Sequence, residues 1–365
     1  MKKGSALTRS ATSGAAPPEQ GAPGPGAAPE GPGPTGPSRA VRVLRYLGGR
    51  LFTAAVSLAA VLVTSFFLFR ILPGDPVRAM TEGREVTVEQ MEELRRQFGL
   101  DRPLWQQFAD YCLGVLRFDF GTSYQYRVPV AELIAERIGP TVLLAGTGTV
   151  VAALIGLVLG TRAAWRRGSA GDRITTAVAL TLWSVPSFWL GLLLIVVLAS
   201  GVGWLPGLFP TSGMATPGVE GAFDSALDVA HHMVLPVATM VAVVYAQYLL
   251  IMRSSVLDEM GADYLTTARA KGLRDALVLR RHAVPNALLP TVTLIFLNLG
   301  RVLGGVILIE TVFAWPGLGS LFYSGLRVPD LPLVQALFVL FASAVIVMNL
   351  LADLVYPLLD PRVRT

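Results

Sequence analysis

Six predominantly apolar stretches, each about twenty residues long, recur along the chain with polar segments between them. They are Leu51–Leu72, Pro140–Gly160, Ile174–Ser200, His232–Met252, Leu288–Ile309 and Leu331–Ala352. Since an α-helix rises 1.5 Å per residue, about twenty apolar residues cross the roughly 30 Å of hydrocarbon in a bilayer. The pattern therefore predicts an all-α, polytopic membrane protein with six transmembrane helices.

The long segment between the first two apolar stretches, residues 73–139, carries signals for helices of its own. Thr87 and Gln90 have the spacing of a capping box, in which each side chain satisfies a backbone amide of the other residue. The residues that then share one helix face, followed by a glycine that can end the helix, are Val88, Met91, Leu94, Phe98 and Gly99. The spacing predicts a short amphipathic helix that begins after Thr87.

Two further helices are predicted in the same segment. Asp101 and Pro103 can start one that runs through Tyr111, and Pro129 can start another, Val130–Ile138, that leads into the second span. These amphipathic pieces fit two arrangements, a cap over the outer mouth of the protein or a position on the membrane surface. The sequence leaves both arrangements open.

The composition agrees with a membrane protein rather than a soluble one. The chain has 365 residues, of which 53% are hydrophobic and 15% charged, and its mean hydropathy is +0.56. Soluble domains usually carry about a quarter charged residues. The net charge of +5 does not indicate a nucleic-acid partner, because the basic residues lie beside the ends of the apolar stretches.

The distribution of basic residues predicts the orientation of the spans. Basic residues flank the first span, follow the second and fourth spans, and occur in the C-terminal tail: Arg39, Arg42, Arg45, Arg50, Arg162, Arg166, Arg167, Arg173, Arg253, Arg269, Lys271, Arg274, Arg280, Arg281, Arg362 and Arg364. Residues 200–231 contain no Lys or Arg, and residues 314–330 contain only Arg327. Because short cytoplasmic loops carry the excess of Lys and Arg, both termini are predicted to be cytoplasmic at the cell membrane, and residues 73–139 extracytoplasmic.

Three regions follow from these patterns. Residues 1–38 are rich in Pro, Gly and Ala and have no apolar run, which predicts a disordered cytoplasmic tail. Residues 39–139 hold the first transmembrane helix and the extracytoplasmic helical segment. Residues 140–365 form a core of five helices with a cytoplasmic loop at 253–290.

No catalytic constellation or metal site is predicted. Cys112 is the only cysteine, so neither an intrachain disulfide nor a cysteine metal site can form. His231 and His232 are adjacent, and adjacent side chains on a helix point about 100° apart, which makes a poor metal pair. The chain has no Gly-rich phosphate loop followed by Lys and Ser or Thr. If the protein uses ATP, another subunit must bind it.

The cytoplasmic loop at 253–290 contains a short predicted helix, Leu265–Lys271, with Asp263 near its start and Gly272 as its C-terminal stop. Ala268 and Ala270 leave little side-chain bulk on this helix. Such a short, basic helix can lie along the membrane surface and be held by a partner, although an ordinary basic loop would have the same composition.

Arg301 lies about twelve residues into the predicted fifth span. A charge at mid-depth costs at least ~2.5 kcal/mol on insertion scales, so Arg301 should face a partner or a water-filled path. Two interpretations stay open, a translocation-pathway residue that attracts a peptide carboxylate and a structural contact with another subunit. Gly300 and Gly304 flank Arg301 with the small-xxx-small spacing that permits close helix approach.

Seven further stretches stand out in order along the chain: LPGDPV (72–77), FGLDRPLWQQF (98–108), DFGTSY (119–124), SVPSFWLG (184–191), the loop sequence 264–272 followed by Pro290, ETVFAWPGLG (310–319) and NLLADLVYPLLDPRVR (349–364). Together they resemble the permease subunits of the dipeptide, oligopeptide and nickel ABC importer family. Their order covers about residues 40–365. The broader importer pattern has Glu where this chain has Thr266, and the peptide branch often lacks that Glu.

The resemblance implies an ATP-driven importer of di- or oligopeptides that works by alternating access. It implies four partners beside the lipid bilayer: a second homologous permease subunit, two ATP-binding subunits and an extracytoplasmic solute-binding protein. ATP and Mg would be bound by the ATP-binding subunits, so this chain would be neither an enzyme nor a cofactor protein. The same fold importing nickel chelates or another small solute is an alternative, and a membrane-embedded enzyme or sensor is an alternative of a different class.

The resemblance also implies which residues couple the chain to the ATP-binding subunit. The loop helix should dock in a groove of that subunit and transmit its closure to the spans. The predicted coupling residues are Tyr264, Thr267, Ala268, Arg269, Ala270, Lys271, Gly272 and Leu273.

Overall fold

The computed structural model describes residues 39–71, 87–97, 101–201 and 206–359. Inside these ranges, the side chains of residues 39–44, 69–71, 94, 95, 97, 293, 297, 299, 301–305 and 355–359 are outside the description. The predicted tail, residues 1–38, and most of the motif at 72–77 lie outside the described residues. Contacts divide the chain into residues 1–45 and residues 46–365, and the packed body is the second of these units.

The described residues are almost entirely helical, as the sequence predicts. The helices are α1 (Arg39–Ile71), α2 (Val88–Gln97), α3 (Leu104–Leu116), α4 (Val130–Trp165), α5 (Ala170–Ser184), α6 (Ser187–Leu194), α7 (Ala222–Glu259), α8 (Asp263–Ala270), α9 (Asp275–Val278), α10 (Val284–Gly305), α11 (Ile307–Val312), α12 (Leu318–Arg327) and α13 (Leu331–Leu359). Ile195–Ala199 and Leu279–Ala283 are π-helical turns. Within the described ranges the β-structure is a single bridge between Thr122 and Pro129.

Four described helices are long and apolar enough to cross a membrane. These are Arg45–Leu68, Val130–Trp165, Ala222–Glu259 and Leu331–Leu354. The predicted third span, Ile174–Ser200, is divided between α5 and α6, which meet at an angle of 100°. Pro186 lies between them, and a proline interrupts a helix because it lacks the backbone N–H and clashes with the preceding turn. The predicted fifth span corresponds to α10 and α11, and the count of six spans stays a prediction.

The segment between the first two spans contains the helices that its sequence predicts. The capping box at the start of α2 is confirmed, because the Thr87 amide donates to Gln90 Oε1 at 3.0 Å and the Gln90 amide donates to Thr87 Oγ1 at 3.3 Å. The second predicted helix extends beyond Tyr111, to Leu116. The third does not stop at Ile138 but continues through Pro140 into the second span as α4.

The centre of the body is the close contact between α4 and α7, which small residues on α4 make possible. Gly148 faces Met240, and Gly156 faces the backbone of α7 at Tyr245 and Leu249. A Cβ placed on Gly156 would lie 2.5 Å from Tyr248 Cβ and 2.9 Å from the Leu249 amide nitrogen. The pair Gly156 and Gly160, with small-xxx-small spacing, therefore serves helix packing.

Two buried carboxylates join separate helices and loops of the body. Glu310 is fully buried and accepts hydrogen bonds from Thr141 Oγ1 at 2.7 Å and from the amides of Gly319 and Ser320 at 2.7 and 3.0 Å. These amides open α12, so Glu310 caps that helix and ties it to α4. The second carboxylate, Asp330, accepts from the hydroxyl of Ser123 and from the Gln125 amide at 3.1 Å.

A loop contact lies near the start of α7. Asp228 accepts hydrogen bonds from the amide and the hydroxyl of Thr216, at 2.6 and 2.8 Å. His232 Nδ1 lies 2.9 Å from the Asp228 carbonyl oxygen, and His231 Nε2 lies 3.1 Å from the Leu208 carbonyl oxygen. Each histidine ring therefore contacts a neighbouring backbone carbonyl. Among the described residues, no cluster of His, Cys, Asp and Glu could hold a metal ion.

Candidate coupling site

The loop helix α8 ends in a Schellman motif built on Gly272. Gly272 has φ +81°, its amide donates to the Arg269 carbonyl at 2.9 Å, and the Leu273 amide donates to the Ala268 carbonyl at 3.4 Å. Glycine takes this left-handed conformation without steric cost, so it stops the helix and turns the chain. The helix stop expected at Gly272 is confirmed.

One face of α8 is buried in the body of the protein and the other is exposed. Leu265 and Ala268 are buried in a cluster with Val278 and Ala283, against which Trp165, Leu273 and Leu279 pack. Of the eight predicted coupling residues, six are exposed: Tyr264, Thr267, Arg269, Ala270, Lys271 and Gly272. Leu273 is half-buried. Ala268 lies on the inner face, where it holds the helix to the body and is not available to a partner.

The hydroxyl of Tyr264 connects α8 to two long helices. It donates to Glu259 Oε2 at the end of α7 and accepts from Asn286 Nδ2, near the start of α10, at 2.9 Å. Asn286 Nδ2 also donates to the His282 carbonyl at 3.2 Å. Because Glu259 and Asn286 belong to different helices, Tyr264 links α8 to both α7 and α10.

Arg269 connects α8 to a third helix. Its guanidinium lies 5.8 Å from the ring centroid of Trp165, the last residue of α4, and its Nε lies 3.3 Å from Asp275 Oδ1. The pair of Arg269 and Asp275 is exposed and contributes little by itself. Its stacking on Trp165 leaves the outer edge of α8 basic and in contact with α4.

A bidentate ion pair joins the start of α5 to α7. Arg253 donates from Nε and Nη2 to the two carboxylate oxygens of Asp172, at 2.8 and 2.9 Å. Asp172 is nearly fully buried and also accepts from the Gly168 amide at 2.9 Å, while its own amide donates to Ser169 Oγ at 3.2 Å. Paired in this way, Asp172 holds the start of α5 against α7 beside the coupling region.

Sequence reasoning did not find several of these residues. Asp172, Glu259, Asn286, Glu310 and Asp330 each work through a partner that lies in another element. The nearest sequence signal for Glu310 is the motif ETVFAWPGLG, in which Gly317 and Gly319 leave the room that its carboxylate fills. The side chain of Arg301, the predicted pathway residue, lies outside the described residues, and its backbone lies in α10, four residues before the end.

Comparison with known proteins shows the family to which the chain belongs. The model of the binding-protein-dependent transport system inner membrane component matches residues 154–365, and the model of its N-terminal part matches residues 43–145. The chain belongs to this family of inner membrane components. It is a permease subunit of an ABC importer, and the helices that can span a membrane make it a multi-pass membrane protein.

Two curated permeases match over nearly their whole length. The dipeptide transport system permease protein DppB of Escherichia coli K12 is 35% identical over 340 residues, covering 88% of this chain and 99% of its own. The glutathione transport system permease protein GsiC of Salmonella typhi is 38% identical over 322 residues, with the same coverage. A solved structure of the MetNI methionine ABC transporter, inward facing, has a TM-score of 0.47 at 17% identity, over 62% of this permease and 96% of its own chain.

Membership in this family fixes the general role of the permease. Importers of this kind place substrate binding and ATP binding in other components, with which the permease works. The described residues form helices around a packed centre.

Proposed function

We propose that this chain is one transmembrane subunit of an ATP-driven importer of di- or oligopeptides, working by alternating access. Its likeness to DppB and GsiC over 99% of their length carries the proposal, because the first is a dipeptide permease and the second a glutathione permease. The assembly contains a second homologous permease subunit, two ATP-binding subunits and an extracytoplasmic solute-binding protein. ATP and Mg are bound by the ATP-binding subunits, and this chain needs no cofactor.

The coupling surface of this proposal is the exposed face of α8 with its C-terminal turn. Tyr264, Thr267, Arg269, Ala270, Lys271, Gly272 and Leu273 contact the ATP-binding subunit, and Ala268 positions the helix from below. The contacts of Tyr264 with α7 and α10, and of Arg269 with Trp165 on α4, support a route from this surface to the spans. The basic side chains favour a groove that is acidic at its rim.

The proposed topology places both termini and α8 in the cytoplasm. Its support is the excess of Arg and Lys in the loops after α4 and α7 and the lack of Lys or Arg in residues 206–231. The ion pair of Arg50 with Asp353, at 2.9 Å, brings the basic end of α1 to the C-terminal part of α13. The two ends of the packed body thus lie together, on the side assigned to the cytoplasm.

Copurification and uptake test the proposal together. The tagged chain, purified from its native membrane, should bring down ATP-binding subunits and a second permease. A deletion strain should lose uptake of labelled dipeptides or longer peptides and regain it with the gene. Uptake of nickel without uptake of peptides would show that the substrate is nickel rather than a peptide. Failure to recover any ATP-binding subunit would favour a membrane enzyme or sensor.

Arg301→Leu should lower uptake without changing copurification if Arg301 lines the pathway.

Replacing Tyr264 by phenylalanine should reduce the number of substrate molecules imported per ATP hydrolysed several-fold. The change keeps the ring but removes the hydroxyl that contacts Glu259 and Asn286, and hydrogen bonds to charged groups contribute about 1.5–3 kcal/mol. The ratio is measured in proteoliposomes that hold the whole transporter. Tyr126→Phe is the matched control, because both tyrosines are 38% exposed.

A second variant separates transmission from docking. Glu259→Gln leaves the exposed face of α8 unchanged and should reduce the same ratio, since it weakens the contact between Tyr264 and α7. If Tyr264→Phe and Glu259→Gln both import as efficiently as Tyr126→Phe, the hydroxyl has no part in coupling.

A further inference from the structure

Helix α3, in the extracytoplasmic segment, lies against the side of α1 rather than beyond its end. Tyr111 Oη donates to Ser65 Oγ at 3.2 Å, and the rings of Phe108 and Tyr111 lie 5.2 and 5.8 Å from the ring of Phe66. Ser65 and Phe66 are inside the apolar part of α1, Arg45–Leu68, and both are buried by these contacts. Helix α3 therefore reaches the depth of the membrane span.

The position of the contact at Phe66 can be measured along the axis of α1, from the end of its apolar part. Phe66 lies two residues before Leu68, the last residue of the apolar part of α1, which is about 3 Å at 1.5 Å per residue. Interfacial helices are buried about 5–10 Å into the boundary between headgroups and acyl chains. Helix α3 therefore lies beside the end of the apolar part of α1, close to this boundary.

The face of α3 that points away from the body is apolar. Trp105, Ala109, Leu113 and Leu116 are spaced by four, four and three residues, which places them on one side of the helix, and all four are exposed. Trp105 is 69% exposed and Leu116 is 70% exposed. We call these four residues the apolar stripe. Within the described part of the chain, no residue covers it.

Residues on other sides of α3 contact the protein or carry charge. Phe108 and Tyr111 face α1, while Gly114 and Val115 face Gln335 and Ala336 of α13 across a small pocket. Asp110 is exposed on the side opposite Trp105, where it pairs with Arg102 at 3.0 Å. The helix thus has a protein-facing side, an apolar side and a polar edge.

The surface that continues the apolar stripe is the lipid-facing surface of α1. Only 11% of the most apolar part of α1 is buried inside the molecule, and Phe67 and Leu68, next to the contact with α3, are exposed. A tryptophan at the start of the stripe has the amphipathic ring that is enriched at membrane interfaces. We propose that α3 lies in the membrane interface with its apolar stripe in contact with the lipids of the outer leaflet.

This position decides between the two arrangements that the sequence leaves open for α3. It is a membrane-surface helix and not a cap over the mouth of the protein. The assignment to the outer leaflet rests on the proposed topology, whereas the contact with lipid does not. A wrong topology can therefore be distinguished from the absence of a lipid contact.

Spin labels test the proposal, and the chain has a convenient background, because Cys112→Ala removes its only native thiol. Ala109→Cys, Leu113→Cys and Leu116→Cys are labelled in the whole transporter in nanodiscs of phosphatidylcholine and phosphatidylglycerol. Asp110→Cys is the matched control on the polar edge. Only variants that retain uptake are compared, and three stripe positions guard against the loss of any one.

Relaxation by dissolved oxygen should exceed relaxation by a water-soluble nickel chelate at the three stripe positions, with the reverse at Asp110→Cys. Nickel-chelate relaxation that dominates at the stripe would show that it faces water, which overturns the proposal. Low relaxation by both reagents at all three positions would show that a protein surface covers the stripe, which overturns it as well.

Discussion

Replacing Gly272 by aspartate should leave the transporter assembled and abolish ATP-driven uptake. Gly272 is exposed at the C-terminal turn of α8, and nothing lies within 4 Å of the position that a Cβ would take. A side chain there disturbs no contact within the permease. It projects instead into the surface where the ATP-binding subunit is proposed to dock.

The expected loss is caused by charge. Arg269, Lys271 and Arg274 make this surface basic, so a complementary groove is acidic, and an added carboxylate meets like charges there. A carboxylate taken into the contact also loses its hydration. Even ~1.4 kcal/mol of such repulsion in the productive state lowers its population about tenfold.

The matched control is Gly272→Asn. Asparagine has nearly the shape of aspartate, and both residues are among those that tolerate a positive φ. The backbone strain and the bulk are therefore shared, and the two variants differ by the charge. Uptake and substrate-stimulated ATP hydrolysis are measured in proteoliposomes, with assembly checked by copurification. Full uptake by Gly272→Asp, or equal loss in the two variants, would contradict the charge argument.

Replacing Gly156 by valine should prevent the permease from accumulating in the membrane. The new Cβ would meet the Tyr248 side chain and the backbone at Tyr245 and Leu249, and backbone of a packed helix cannot move aside alone. Helices α4 and α7 must separate along their contact. Overpacking of this kind costs ~1–3 kcal/mol and at times more, and ~2–3 kcal/mol corresponds to a roughly 30- to 150-fold shift in the folding equilibrium.

Gly146→Val on the same helix is the control. A Cβ at Gly146 meets nothing within 4 Å, so the same side chain in the same helix should leave the amount of protein unchanged. Both variants are compared by immunoblot of membranes and by the temperature at which the detergent-solubilised protein aggregates. Normal levels of Gly156→Val would show that the contact between α4 and α7 adapts more easily than these distances indicate.

The features that were predictable from the sequence are those that local physics determines. The capping box of Thr87 and Gln90 and the stop at Gly272 each depend on a few neighbouring residues, and both are confirmed. The apolar stretches identified the membrane class for the same reason. The separation of α5 and α6 by 100° could not be foreseen, since a proline predicts a break but not its angle.

The residues that were missed act over long separations along the chain. Asp172 meets Arg253 81 residues away, and Glu310 meets Thr141 169 residues away. Periodicity predicts which face of a helix is buried, but not which polar group of another helix a buried side chain contacts. Tyr264 illustrates both sides of this limit. The resemblance implies that it is a coupling residue, and only the fold shows that its hydroxyl contacts Glu259 and Asn286.

Helix α7 is longer than the membrane it crosses. Its 38 residues span about 57 Å, whereas the hydrocarbon core is about 30 Å thick. Glu259 at one end touches the coupling helix, and Asp228 near the other holds the loop at Thr216. Under the proposed function and topology, one continuous helix connects the docking surface of the ATP-binding subunit with the loop at Thr216, so a displacement of α8 reaches that loop without a relay through other loops.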